Sequence, residues 1–242
     1  MRIVLFVMFF TCYLGVAAQN KNTYVCTWGE ATAIDTNLID WSDTQYLQDD
    51  VNELRMAFKQ DSTFVYMTID KTYNAKKAIQ LGGVQIHFST VGKELAVTYP
   101  ACKRNINNGI DYDFDYLVVD LLPHIKSDTI PIYNDLGIIA NGKYSISTKS
   151  AVPVVRSLEN LQGNDRFIME LRIPKEHLSV KESPSQEIKV DVAVRGNDID
   201  KSGAIFEEFR VRAERNNTSG SLLFQRYKQL NLSSENTFYI QM

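Results

Sequence analysis

Few residues in this chain have types and spacings that could support chemistry, and they lie far apart. The turn "RGNDIDKSG" (195–203) sets Asn197, Asp198 and Asp200 ahead of Gly203. Side-chain oxygens at that spacing suit a calcium ion; they equally suit a hairpin loop whose Asn and Asp side chains accept bonds from nearby backbone. "DYDFDY" (111–116) alternates three aspartates with three aromatics. It does not fit a calcium loop of the EF-hand kind, because the required glycine at position six is Tyr116 and the bidentate glutamate at position twelve is Leu122. Cys26 and Cys102 have no C-x-x-C spacing, so zinc and thioredoxin-type chemistry find no support. In an oxidising compartment the two would pair, closing a long loop worth a few kcal/mol, roughly 3 to 5; the alternative is two buried thiols. His87, His124 and His177 sit in unrelated contexts and no G-x-S-x-G motif appears. A nucleophilic enzyme is therefore not expected.

The remaining composition narrows the class. The 242 residues are 44% hydrophobic and 23% charged, with a formal charge of -3 and a pI near 5.7. A nucleic-acid binder would concentrate basic residues in a stripe, and none is visible. The first twenty residues, "MRIVLFVMFFTCYLGVAAQN", give Arg2, an apolar run from Ile3 to about Val16, then Ala17 and Ala18. That is the pattern of a cleaved export signal, with the run too short for a membrane span of roughly 20 residues. The sequence predicts a signal over 1–19, a mature domain over 20–242, and a periplasmic or secreted product. Cys12 raises a lipoprotein as a rival, but the bulky Phe10 and Thr11 before it match that signal poorly.

The elements that must position these residues read mainly as strands. "STFVYMTID" (62–70), "GVQIHFS" (83–89), "RFIMELRIP" (166–174) and "EIKVDVAVRG" (187–196) all alternate with period two. Turn chemistry such as "KQDS", "TVGKE" and "ANGK" separates strands every ten to twenty residues. This predicts an all-β, two-sheet antiparallel sandwich of jelly-roll or immunoglobulin-like type, with Trp41, Val65, Met67, Ile86, Phe88, Met169, Leu171, Val190 and Val192 inside. Around "DYDFDY" the alternation fails after Tyr116, whereas Phe114, Leu117, Val118, Leu121, Leu122 and Ile125 fit one helical stripe. The expectation is a helix over about 114–122, capped by Asp111, Asp113 and Asp115, within a short helical insertion spanning roughly 105–142.

Several segments in order carry a resemblance. "ATAIDTNLIDWSD" (31–43), "AFKQDSTFVYMTI" (57–69), "LGGVQIHFSTVGKELAVTYP" (81–100), "RFIMELRIPKEHL" (166–178) and "IKVDVAVRGNDID" (188–200) resemble carbohydrate-binding module family 9 and its DOMON-like relatives. The resemblance implies a β-sandwich, a non-catalytic and often sugar-binding role, and calcium in some members. It also assigns Trp41 to the core and makes Glu170 a structural hydrogen-bond acceptor. Sugar modules stack pyranose C–H groups on aromatic faces flanked by polar side chains, which makes Trp28 the first candidate, followed by Tyr112 and Tyr133, with Tyr46 a further loop tyrosine. The family's pair of stacking tryptophans aligns with no position here. Two further readings stay open. One is an envelope scaffold with a degenerate site. The other is a haem protein using Met56 or Met67 with His87 as axial ligands.

Overall fold

A computed structural model describes residues 23–80, 82–104, 110–123, 127–145, 166–180, 186–196, 211, 215 and 232–242. The described strands are β1 (Thr23–Val25), β2 (Thr27–Trp28), β3 (Leu47–Asp49), β4 (Leu54–Gln60), β5 (Phe64–Lys71), β6 (Val84–Thr90), β7 (Lys93–Tyr99), β8 (Ala101–Arg104), β9 (Ile110–Asp113), β10 (Tyr116–Leu122), β11 (Asp128–Pro131), β12 (Ile139–Ser145), β13 (Arg166–Pro174), β14 (Glu187–Val194) and β15 (Ser234–Gln241). They form two facing sheets and a small ribbon. The larger sheet runs β1-β15-β14-β6-β7-β10-β11; the smaller runs β12-β13-β5-β4-β2, with β3 also on the far side of β4. The ribbon is β8-β9. Two short pairings, β1 with β15 and β2 with β4, are parallel, and every other pairing among the described strands is antiparallel. The segment 23–28 causes this departure: it is shared between the sheets, lying first on β15 and, past Cys26, on β4.

Alternation explains the core. Met56, Phe58, Val65, Met67, Ile69, Met169 and Leu171 project from the smaller sheet onto Ile86, Phe88, Leu95, Val97, Val190, Val192 and Phe238 of the larger one, all buried in one cluster. Burying each such side chain stabilises the fold by about 1.5 to 3 kcal/mol. All nine expected core residues are buried, but Trp41 lies elsewhere. With Ala57 and Tyr66 it forms a second cluster, joined by Ile34, Leu38, Tyr46 and Phe64. Ala57 and Tyr66 have the opposite parity to the main-core residues of β4 and β5, so this cluster covers the outer face of the smaller sheet.

The expected helix over 114–122 does not form. Leu117, Val119 and Leu121 are buried at period two on β10, which pairs antiparallel with β7 and β11. The aspartates belong to a different element. β9 ends at Asp113, the chain turns at Phe114–Asp115, and Asp113 Oδ1 accepts the Asp115 N–H at 3.1 Å. That corner shifts the strand phase, so Asp111 and Asp113 are exposed while the same-parity Leu117 and Val119 face inward. The described residues of the span 105–142 correspondingly form no helix; they supply β9, β10, β11 and most of β12, the last three being strands of the sandwich itself.

Candidate functional site

The outer-face cluster is built around one carboxylate. Glu170, on β13, is fully buried; its Oε1 accepts the Trp41 indole N–H at 2.7 Å, and its Oε2 accepts the Asp35 and Thr36 amides at 2.8 and 2.7 Å. Burial pushes its pKa up, and the three donors offset only part of that rise. Trp41 is 0% exposed and cannot meet a ligand. Lys59 closes the cluster, donating to Asp40 O and to Asp43 Oδ1 at 2.6 Å. Glu170 thus ties the segment 35–41 to the sheet, a structural task and not an acid–base one.

Trp28 has the opposite character. It ends the two-residue edge strand β2, in register with Gln60, and is 65% exposed. The Gly29 amide holds the strand end by donating to Gln60 O at 3.0 Å. Lys175 opens a 3-10 turn (Lys175–Leu178) directly after β13, and its Nζ stands 4.7 Å from the indole centroid while donating to Gln60 Oε1 at 2.8 Å. Desolvation holds the Lys175 pKa below the usual lysine value, with Cys26 and Asp61 opposing. Asp61 accepts the Thr63 and Phe64 amides and the Tyr66 hydroxyl, each at 2.6 Å. The result is an exposed indole on an open edge, with an ammonium over one ring face and the Gln60 amide close by, so a ligand would stack on the other face. Such an arrangement can stack the C–H face of a sugar while polar groups take its hydroxyls. The sequence contained Trp28 as a candidate but gave no sign of Gln60 and Lys175, which the sheet register and the turn after Pro174 bring to it.

Tyr133 is 79% exposed in the loop after β11. Tyr112 is half-buried on β9, its ring 6.4 Å from Phe114. These two flank the Phe114–Asp115 corner, where the Ile132 amide donates to Asp115 O at 3.0 Å. Trp28 lies on the β1/β2 edge of the sandwich and Tyr133 follows β11 on the opposite edge. The three candidates therefore do not form one platform. Tyr46 is half-buried beneath Arg55, whose guanidinium carbon sits 4.5 Å from its ring.

The expected disulfide is absent: Cys26 and Cys102 are free thiols. Cys26 is buried between β1 and β2, where its amide donates to Gln241 O, and burial pushes its thiol up to about 12. Cys102 is exposed on the β8–β9 ribbon opposite Tyr112, so the two sulfurs belong to different units. Met56 and Met67 lie in the core, whereas His87 points to the outer face of the larger sheet, 3.6 Å from Asp191 and 3.7 Å from Glu94. No axial methionine–histidine pair can form across that sheet. The calcium candidates Asn197, Asp198 and Asp200, His124 and the signal segment lie outside the described residues. Among the described residues no cluster of three metal-ligating side chains occurs.

Fold and edge site together define a two-sheet β-sandwich with a solvent-exposed tryptophan. No protein-family model and no curated protein sequence matches the chain. Among solved structures it is similar to a carbohydrate-binding module of family 9 from Caldicellulosiruptor kristjanssonii in complex with glucose, at 16% identity over 71% of this chain and 77% of that one, with a TM-score of 0.36. It is similar also to a family 9 module from the same organism in complex with cellotriose, at 14% identity over 71% and 75% of the chains, with a TM-score of 0.37.

Proposed function

We propose that the protein is an exported, non-catalytic glycan-binding protein that holds sugar by stacking it on Trp28. One observation carries this reading: of only two tryptophans, one is wholly committed to a structural clamp, while the other stands 65% exposed beside Lys175 and Gln60. Leaving a large indole in water forgoes burial worth about 1.5 to 3 kcal/mol or more, and stacking a sugar ring would recover part of it. Export rests on the N-terminal signal pattern, and calcium at Asn197, Asp198 and Asp200 remains part of the proposal. A glycan array run with and without calcium tests sugar binding and its dependence on the ion. The scaffold reading has one feature in its favour: Val25, 68% exposed on β1, lies three residues from Trp28 and extends the apolar edge. If a protein partner covers that edge, the array will be blank and a Trp28→Ala variant will lose the partner.

A further inference from the structure

On the outer face of the smaller sheet, beyond the Glu170 clamp, two arginines from distant parts of the chain share one aspartate. Arg55 on β4 lies directly opposite Asp70 on β5, and Arg166 on β13 lies two positions along from the residue facing Asp70 on the other side. Asp70 Oδ2 accepts from Arg55 Nε at 2.7 Å and from its terminal Nη2 at 2.7 Å; Arg166 Nε reaches Oδ1 at 2.8 Å and its Nη2 reaches Oδ2 at 2.9 Å. The Asp70 side chain is 1% exposed, yet those of Arg55 and Arg166 are 44% and 41% exposed. They open onto a groove of about 630 Å³ lined also by Gln48, Asp50, Thr72 and Tyr73.

Three physical features make this groove a built site. Two guanidinium charges face one carboxylate, which leaves the floor with a formal excess of one positive charge. A guanidinium carries five N–H donors, and among the described residues Asp70 engages Nε and one terminal nitrogen of each, which leaves donors for a second planar oxyanion. The Arg55 guanidinium carbon also stands 4.5 Å from the Tyr46 ring centroid, and a fork held in advance by this contact and by Asp70 loses little freedom on binding. Glu53 and Asp50 also line the groove; Lys71 offsets the first and Asp50 offsets the floor's excess, so the attraction rests on the two guanidinium forks and not on a net charge of the groove. Glu53 accepts from Asn74 Nδ2 at 2.8 Å and lies 3.8 Å from the Lys71 ammonium, while Asp50 is exposed at the rim. Tyr73, 42% exposed, offers the groove a partly open ring face, and Gln48 and Thr72 offer partners for hydroxyls.

We infer that this groove binds the carboxylate of a sugar acid, a uronic-acid residue, with Arg55 and Arg166 on the carboxylate and Tyr73 against the ring. The site is separate from Trp28 and does not depend on the reading given to it. Calorimetry on the full mature protein with tetragalacturonate, its methyl ester and inorganic phosphate, each at low and high salt, tests the assignment. Tetragalacturonate should bind and weaken with salt, with the ester and phosphate each about tenfold or more weaker. Arg166→Lys keeps a charge on Asp70 but removes the fork, and should cost about tenfold. Tyr73→Ala lies outside the ion pair and should weaken binding without altering thermal stability; Asp50→Asn should tighten it; Trp28→Ala should leave it unchanged. No binding of tetragalacturonate by the folded protein, equal binding of ester or phosphate, or loss in Trp28→Ala with retention in Arg166→Lys would each overturn the inference. Failure of every neutral glycan to bind would instead sink the proposed function and leave this one standing.

Discussion

Replacing Glu170 by glutamine changes one atom and reverses the hydrogen-bonding capacity of half the group. The carboxylate serves three donors, the Trp41 indole and the amides of Asp35 and Thr36. A glutamine has one acceptor oxygen, which satisfies either the two amides or the indole, and its NH2 must then point at a donor. Both Glu170 and Trp41 are wholly buried, so no water relieves the clash. With the two amides retained, the loss is one bond to a charged acceptor, about 1.5 to 3 kcal/mol, plus the weakening of two others from charge-assisted to neutral. The total comes to about 3 kcal/mol. For a domain of this size each kcal/mol moves Tm by about 2 to 4 °C, so calorimetry should find a fall of about 6 to 12 °C. Near-UV circular dichroism should report the altered surroundings of Trp41. A double-mutant cycle with Trp41→Phe should return a coupling above about 1 kcal/mol. A Tm change under about 2 °C with an unchanged near-UV spectrum would refute the clamp.

The arginine–aspartate cluster predicts an acid transition. Burial raises the Asp70 pKa, but its hydrogen bonds to Arg166 and Arg55 outweigh this and hold it below the usual carboxylate range. Its contribution is therefore present above the unfolded value, near pH 4, and is lost as pH falls through the folded one. Asp70→Asn should lower stability at pH 7 and flatten that loss in denaturant titrations between about pH 4 and 2; an unchanged acid limb would contradict the pairing. Thiol labelling with peptide mapping should modify Cys102 quickly and Cys26 only on unfolding, whereas a Cys26–Cys102 cross-linked peptide would contradict the separated thiols. Leu117→Ala, near the start of β10 and fully buried, should cost about 2 to 5 kcal/mol, and a cost below about 1 kcal/mol would mean that β10 does not line the core.

Much of the sandwich was legible because its long strands bury one face. Val65, Met67 and Ile69, or Val190 and Val192, announce themselves by alternation, and a one-residue slip would turn each set outward. "DYDFDY" misled because a corner at Phe114–Asp115 joins two strands of different phase, and "LVVDLL", a strand with apolar residues on both faces, also satisfies a helical stripe. The β8–β9 ribbon has no such signal, and of its two strands only β9 falls within the insertion expected over 105–142. Trp28 was visible as an unclaimed tryptophan, but its exposure depends on β2 being an edge strand, which no local pattern encodes. Arg55 and Arg166 stand 111 positions apart in sequence and meet only through the registers of β4 and β13 on β5. Compartment logic leaves Cys26 and Cys102 open between a bridge and two thiols, because only the fold shows that they lie on different units.

The central claim is that Trp28 is a stacking platform, and comparing native protein with Trp28→Ala on a glycan array, with follow-up calorimetry on any bound sugar, tests it most directly. Removing the indole takes away roughly 100 Å² of apolar contact, worth about 2.5 kcal/mol at 25 cal/mol per Å². The account predicts a sugar ligand for the native protein, a loss of affinity of about tenfold or more in Trp28→Ala, and a Tm unchanged within about 2 °C because the side chain is exposed. A ligand bound equally well by Trp28→Ala would contradict it, as would a variant that loses its fold.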